Sequence, residues 1–151
     1  MPARSSSSST VRSRILLVDD NANGLCARKS VLEELGHRIV TASSGSDALD
    51  QFGTQKFDLV VTDYKMPRMD GLELIRRLRQ QSPELPIVLI SGYVDALGMS
   101  EESTGADAVI QKSANEVSHL VRAVNRLLRK KAAPKKSVSA QTAPKAKHKT
   151  V

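Results

Sequence analysis

Val60-Val61-Thr62-Asp63-Tyr64-Lys65-Met66-Pro67-Arg68-Met69-Asp70-Gly71 carries a short apolar run to one aspartate and then turns through a loop marked by Pro67 and Gly71. The run is unbroken rather than alternating, which is the pattern of a strand covered on both faces. Asp70 and Glu73 form a helix-start signature, and Leu74, Ile75 and Leu78 follow at helical spacing over Leu72 to Gln80. A buried strand that ends in a carboxylate and hands the chain to a helix is one unit of a parallel α/β sheet. Asp63 is therefore the candidate nucleophile.

The same unit recurs on both sides of this stretch. Upstream, Arg14-Ile15-Leu16-Leu17-Val18 ends in Asp19-Asp20, and a helix is expected from Asn21 to Leu35, with Leu25, Val31, Leu32 and Leu35 inward and Gly36 as its stop. Arg38 to Ala42 reads as a second strand, and Ser44 to Phe52 as a helix opened by Ser44 and Asp47. Downstream, Pro86 to Ile90 leads to Ser91, and Val94 to Glu102 reads as one helix despite Gly98. Asp107 to Gln111 is the fifth strand and leads to Lys112. Ala114 to Arg129 is the closing helix, with Val117, Leu120, Val121, Val124, Leu127 and Leu128 on its apolar face. Strands and helices in alternation with right-handed crossovers give a doubly wound parallel sheet, whose functional crevice lies at the carboxyl ends of the strands.

Composition bounds the remainder. No apolar run approaches the length of a membrane span, and the leader around Ser5 to Ser9 lacks the apolar segment of a secretory signal. A lone cysteine, Cys26, forms no internal disulfide, which suits a reducing cytoplasm; it reads as a small filler on a helix. The net charge of +7 is concentrated at the ends: residues 129–151 hold eight Lys/Arg and no acid, and residues 1–14 hold three Arg. That leaves 12 basic against 16 acidic residues between 15 and 128, so the globular part is acidic. The expected organisation is a Ser-rich disordered leader (1–11), one domain (12–130) and a disordered Lys/Ala/Pro-rich tail (131–151).

Alone, Asp19-Asp20 is a solvated turn, Ser91 a turn hydroxyl and Lys112 a surface charge. Placed together at one sheet edge, these residues bring three carboxylates close enough to require a cation, a raised pKa or both. Oxygen ligands beside phosphate chemistry favour Mg²⁺. Asp70 retains the reading of a helix cap. His37, His119 and His148 lack metal-ligand spacing and are expected at the surface.

The set resembles the receiver domain of two-component response regulators, flavodoxin-like with strand order 2-1-3-4-5. The resemblance rests on Asp19-Asp20, on Thr62 to Pro67 with Asp70-Gly71, on Ser91-Gly92, and on Gly105-Ala106-Asp107-Ala108 leading to Lys112; it covers about residues 12–130. It implies Asp63 as phosphoacceptor, with Mg²⁺ held by Asp20, Asp63 and the Lys65 backbone carbonyl, and by Asp19 directly or through water. It further implies that Ser91 and Lys112 bind phosphoryl oxygens while small Gly92 leaves room for the attacking donor or water. A sensor histidine kinase or phosphotransfer protein would donate, and a downstream protein would read the fourth helix, fifth strand and fifth helix.

Two positions depart from the family pattern. Val109 stands where Tyr or Phe usually rotates on activation, which makes Tyr93 the candidate substitute; Ser113 replaces the proline that usually follows the lysine. The leading expectation is a stand-alone phosphoryl-accepting switch rather than an enzyme. The alternative is a receiver-like module whose basic residues 129–151 associate with nucleic acid through phosphate contacts without sequence preference; a merely solubilising tail competes with it. A flavodoxin-like cofactor binder is disfavoured because two carboxylates stand where a phosphate cradle belongs. A dehalogenase-type phosphohydrolase is disfavoured because Lys65 stands where its second aspartate belongs.

Overall fold

The computed structural model describes residues 12–132. Five strands, β1 (Arg14–Val18), β2 (Arg38–Ala42), β3 (Leu59–Asp63), β4 (Ile87–Ser91) and β5 (Ala108–Gln111), form one parallel sheet in the order β2-β1-β3-β4-β5. The helices are α1 (Ala22–Glu34), α2 (Gly45–Thr54), α3 (Gly71–Gln81), α4 (Val94–Leu97), α5 (Glu101–Thr104) and α6 (Glu116–Ala132). The winding reverses between β1 and β3, whose register pairs Val18 with Thr62. Asp19 and Asp63, the next residues on each chain, therefore emerge side by side.

The sheet separates two apolar layers, which is why its strands carry no polar alternation. Ile15, Leu17, Leu59, Val61, Val88, Ile90 and Ile110 face Leu32 of α1 and Leu120, Val124 and Leu127 of α6. Leu16, Val18, Val60, Ile87 and Leu89 face Ala48 of α2 and Leu74, Ile75 and Leu78 of α3. β3 and β4 are buried along their whole length. The expected helix caps form: the side chains of Asn21, Ser44 and Asp70 accept from the backbone N–H groups of Gly24, Asp47 and Glu73.

Several expectations are corrected. The single helix expected over Val94 to Glu102 is two four-residue helices, because Gly98 adopts a left-handed conformation (φ 60°) that ends α4 and Ser100 recaps the chain. Val117 lies in the first turn of α6 and is 47% exposed; Ala123 is buried in the stripe instead. His37 is buried, its Nδ1 accepting the Ser13 N–H at 3.1 Å, rather than a surface residue, while His119 is exposed as expected. Cys26 is exposed and fills no core space. α6 continues past the expected Arg129 to Ala132, so Lys131 belongs to the helix rather than to the tail, and its Nζ lies 3.6 Å from Asp58 Oδ1. The leader, the tail beyond Ala132 and His148 lie outside the described residues. No described helix is long and apolar enough to cross a membrane.

Candidate functional site

Strand ends assemble the site. Asp19 and Asp20 follow β1, Asp63 and Ser91 end β3 and β4, and Lys112 follows β5. Backbone bonds lock these ends together: Tyr64 N–H donates to the Ile90 carbonyl and Lys112 N–H to the Ser91 carbonyl, each at 2.9 Å. Carboxylate oxygens of Asp19, Asp20 and Asp63 all lie within 4.8 Å of one another. They open into a cavity of about 550 Å³ that Lys65, Ser91, Gly92, Tyr93 and Lys112 also line. All the expected site residues except Val109 thus meet in one hollow. Val109 packs part-buried on the α2/α3 side of the sheet.

Gly71 makes this approach of loop to strand achievable. Its N–H donates to the Tyr64 carbonyl at 2.7 Å, and a Cβ there would land on the Asp63 carbonyl oxygen and 3.0 Å from the Tyr64 Cα. The Asp-Gly pair therefore serves two ends, with Asp70 capping α3 and Gly71 letting α3 start against the backbone of Asp63.

Asp63 is 2% exposed. Burial pushes its carboxyl above the ordinary range and Asp19 adds to the rise, while Lys112 and Arg28 oppose it without cancelling it. Lys112 Nζ stands 2.7 Å from Asp63 Oδ1, yet that oxygen has no aligned hydrogen-bond donor. This single charge pairing leaves further lone-pair directions of Oδ1 free for a ligand. Ser91 Oγ accepts from the Tyr93 N–H at 2.9 Å and retains its own proton to donate. Next to it, Gly92 leaves open space, where an added Cβ would meet only Lys112 Cδ, at 4.0 Å. Tyr93, 42% exposed, lies edge-on to Tyr64 and under the Lys65 ammonium, 5.4 Å from the ring centroid.

One functional side chain escaped sequence reasoning. Arg28, at the centre of the face of α1 expected to be apolar, is buried; its Nη1 donates to Asp19 Oδ2 and its Nε to Glu116 Oε2, both at 2.7 Å. Burial works against its charge, but the bond to Glu116 and the charges of Glu116, Asp19 and Asp63 outweigh that and push its pKa up. Glu116 lies 88 residues downstream, beyond the reach of any local pattern.

A larger hollow, about 650 Å³, lies between Ser44 and Arg77. Its acids are already committed: Asp70 caps α3, and Glu73 is clamped by Arg76 and Arg77, which bring its pKa down to about 2. The chemistry therefore belongs to the strand-end cavity.

A parallel 2-1-3-4-5 sheet with an acid cluster, a hydroxyl and a lysine at its carboxyl edge is the flavodoxin-like arrangement of receiver domains. The chain belongs to the response regulator receiver domain family, whose model matches residues 15–125. It is 35% identical over 119 residues to the alkaline phosphatase synthesis transcriptional regulatory protein PhoP of Bacillus subtilis, covering 75% of this chain and 48% of that protein. It is 29% identical to the response regulator receiver protein CpdR of Brucella abortus, covering 76% and 96%. Among solved structures, the response regulator TrrA of Thermotoga maritima in complex with Mg²⁺ and BeF superposes with a TM-score of 0.69 at 33% identity, covering 78% and 99%. The chain spans half or less of several curated relatives: 48% of PhoP, 15% of the gliding motility regulatory protein of Myxococcus xanthus and 6% of the sensor protein EvgS of Escherichia coli.

Proposed function

We propose that this receiver domain accepts a phosphoryl group on Asp63 and thereby switches its contacts with another protein. The observation that carries this reading is a buried carboxylate with two acidic neighbours within 4.8 Å and an ammonium at 2.7 Å. An Asp63 oxygen attacks the phosphorus of a phosphohistidine on a sensor kinase or phosphotransfer protein. The P–N bond breaks, its electron pair returns to the imidazole, and an acyl phosphate remains on Asp63. Lys112 pairs with one phosphoryl oxygen and the Ser91 hydroxyl donates to another. Gly92 leaves the approach path open to the donor and later to the hydrolytic water.

Three carboxylates whose oxygens lie within 4.8 Å of one another are hard donors that fit Mg²⁺. Asp20, Asp63 and the Lys65 carbonyl would hold it, with Asp19 directly or through water. Once bound, it neutralises charge on the transferring phosphoryl group. Mg²⁺ in the TrrA structure supports this assignment. The domain is taken as residues 12–130 extended to the end of α6, acting in the cytoplasm as a switch rather than a turnover enzyme. Output runs through the face of α4, β5 and α6, where Tyr93 is the aromatic available and Val109 is not. Association of residues 129–151 with nucleic acid draws no support from the relatives.

Intact mass after incubation with acetyl phosphate and Mg²⁺, compared with Asp63→Asn, tests the assignment. A phosphate adduct on the wild-type chain alone is expected. An adduct of equal yield on the Asn variant overturns it, as does the absence of any adduct with both acetyl phosphate and a cognate kinase.

A further inference from the structure

Arg28 is a buried guanidinium behind the strand-end cavity, bonded to Asp19, one of the three carboxylates that converge there. Both Asp19 oxygens are engaged: Oδ1 accepts the Asn21 N–H at 3.0 Å and Oδ2 accepts Arg28 Nη1 at 2.7 Å. Gly24, one turn before Arg28 on α1, makes room for this; a Cβ there would stand 2.5 Å from Asp19 Oδ2. The other edge of the guanidinium is held by Glu116, in the first turn of α6. A buried arginine between two carboxylates is retained against a desolvation penalty that an apolar residue would avoid, so its presence at this position calls for a role besides stability.

We infer that Arg28 is a resident cation competing with the divalent metal for Asp19, and that it couples metal occupancy to the start of α6 through Glu116. This rests on the metal pocket assigned under the proposed function. A dication near Asp19 repels the guanidinium and draws electron density from its Oδ2 partner, which shifts Arg28 toward Glu116. The same guanidinium bridges Asp19 and Glu116, so a pull on Asp19 is felt at Glu116. Arg28 is thus a positioning residue for Asp19 and one arm of a two-way linkage, since any weakening of metal binding by Arg28 is matched by a change in the Arg28–Glu116 contact on metal binding.

The test is a Mg²⁺ titration of the full chain by isothermal calorimetry. Arg28→Met alone would leave the half-buried Glu116 without its partner, so Arg28→Met/Glu116→Gln is the informative variant. It should bind Mg²⁺ about three- to tenfold more tightly than wild type, because the cation removed touches Asp19 whereas the anion removed with it, Glu116, lies on the far side of the guanidinium. Glu116→Gln alone should bind about two- to threefold more weakly, because Arg28 is then left to Asp19. A residue that only stabilised the fold would not move the two variants in opposite directions. In parallel, the Glu116 backbone amide resonance of the wild-type chain should shift with the same midpoint as the calorimetric titration. Equal or weaker Mg²⁺ binding by the double variant overturns the inference while leaving the metal pocket standing. Absence of Mg²⁺ binding by the wild-type chain itself overturns both.

Discussion

Replacing Asp63 with asparagine should stabilise the metal-free protein. Asp63 is 2% exposed and shares a 4.8 Å cluster with Asp19 and Asp20. At that separation and an effective dielectric near 20, one pair of like charges repels by about 3.5 kcal/mol. Burial of Asp63 is the largest contribution to the cost of its charge, Asp20 is exposed and screened, and Lys112 and Arg28 offset part of the rest, so a net penalty on the order of 1 kcal/mol is expected for the ionised form. The sign follows from the raised carboxyl pKa, since the folded chain binds this proton more tightly than the unfolded chain does. Ionised Asp63 therefore lowers stability as pH rises from the unfolded value near 3.8 through the folded one, and the deficit is complete above that. Urea denaturation at neutral pH in EDTA should show Asp63→Asn above wild type by about 1 kcal/mol, or roughly 4 °C in Tm. The gap should close on acidification. Saturating Mg²⁺ should reverse the order, because a ligand at a hundred times its Kd adds about 2.7 kcal/mol to the state that binds it. An asparagine variant at or below wild type without metal would refute the electrostatic reasoning.

Gly71→Ala should destabilise by about 1–3 kcal/mol in the same assay, since the new methyl group meets backbone rather than a yielding side chain. His37, buried mainly at the expense of its charged form, has its pKa lowered from 6.5, with nearby Asp58 opposing the shift. Its contribution is complete above pH 6.5 and fades as pH falls from there through the folded value; His37→Gln, which keeps an acceptor for Ser13 N–H, should flatten stability over that window. Tyr93→Ala should weaken binding of a partner that distinguishes the phosphorylated form, measured as the ratio of affinities with and without phosphate. An unchanged ratio would remove Tyr93 from the output route.

The fold was legible because β1, β3 and β4 are unbroken apolar runs, each delivering a chemically useful residue to its carboxyl end. Strand-end placement is a local property, and so is a cap such as Asp70 with Glu73. Asp19, Asp20, Asp63, Ser91 and Lys112 could all be found that way. Arg28 could not, since one of its partners, Glu116, is remote in sequence. His37 resisted for the same reason, its acceptor role depending on a Ser13 amide 24 residues earlier. Val117 follows the helical period faithfully, but periodicity says which side of a helix is apolar, not how far along the helix there is anything to cover. Gly98 was visible as a weak point, and its left-handed backbone turned a weak helix into two short ones.

That division has a mechanical consequence. Between β4 and β5 the chain makes only two four-residue helices; α4 buries no side chain and α5 buries only Thr104. Helices this short have almost no stability of their own. Their rearrangement would leave both apolar layers undisturbed, apart from the partly buried Met99. A new bond drawing Ser91 toward a phosphoryl oxygen, as proposed, would therefore act on a segment of little independent stability, anchored at one end to the reacting edge. The work needed to reshape that surface is the melting of one or two isolated turns, well within what a single charge-assisted hydrogen bond supplies.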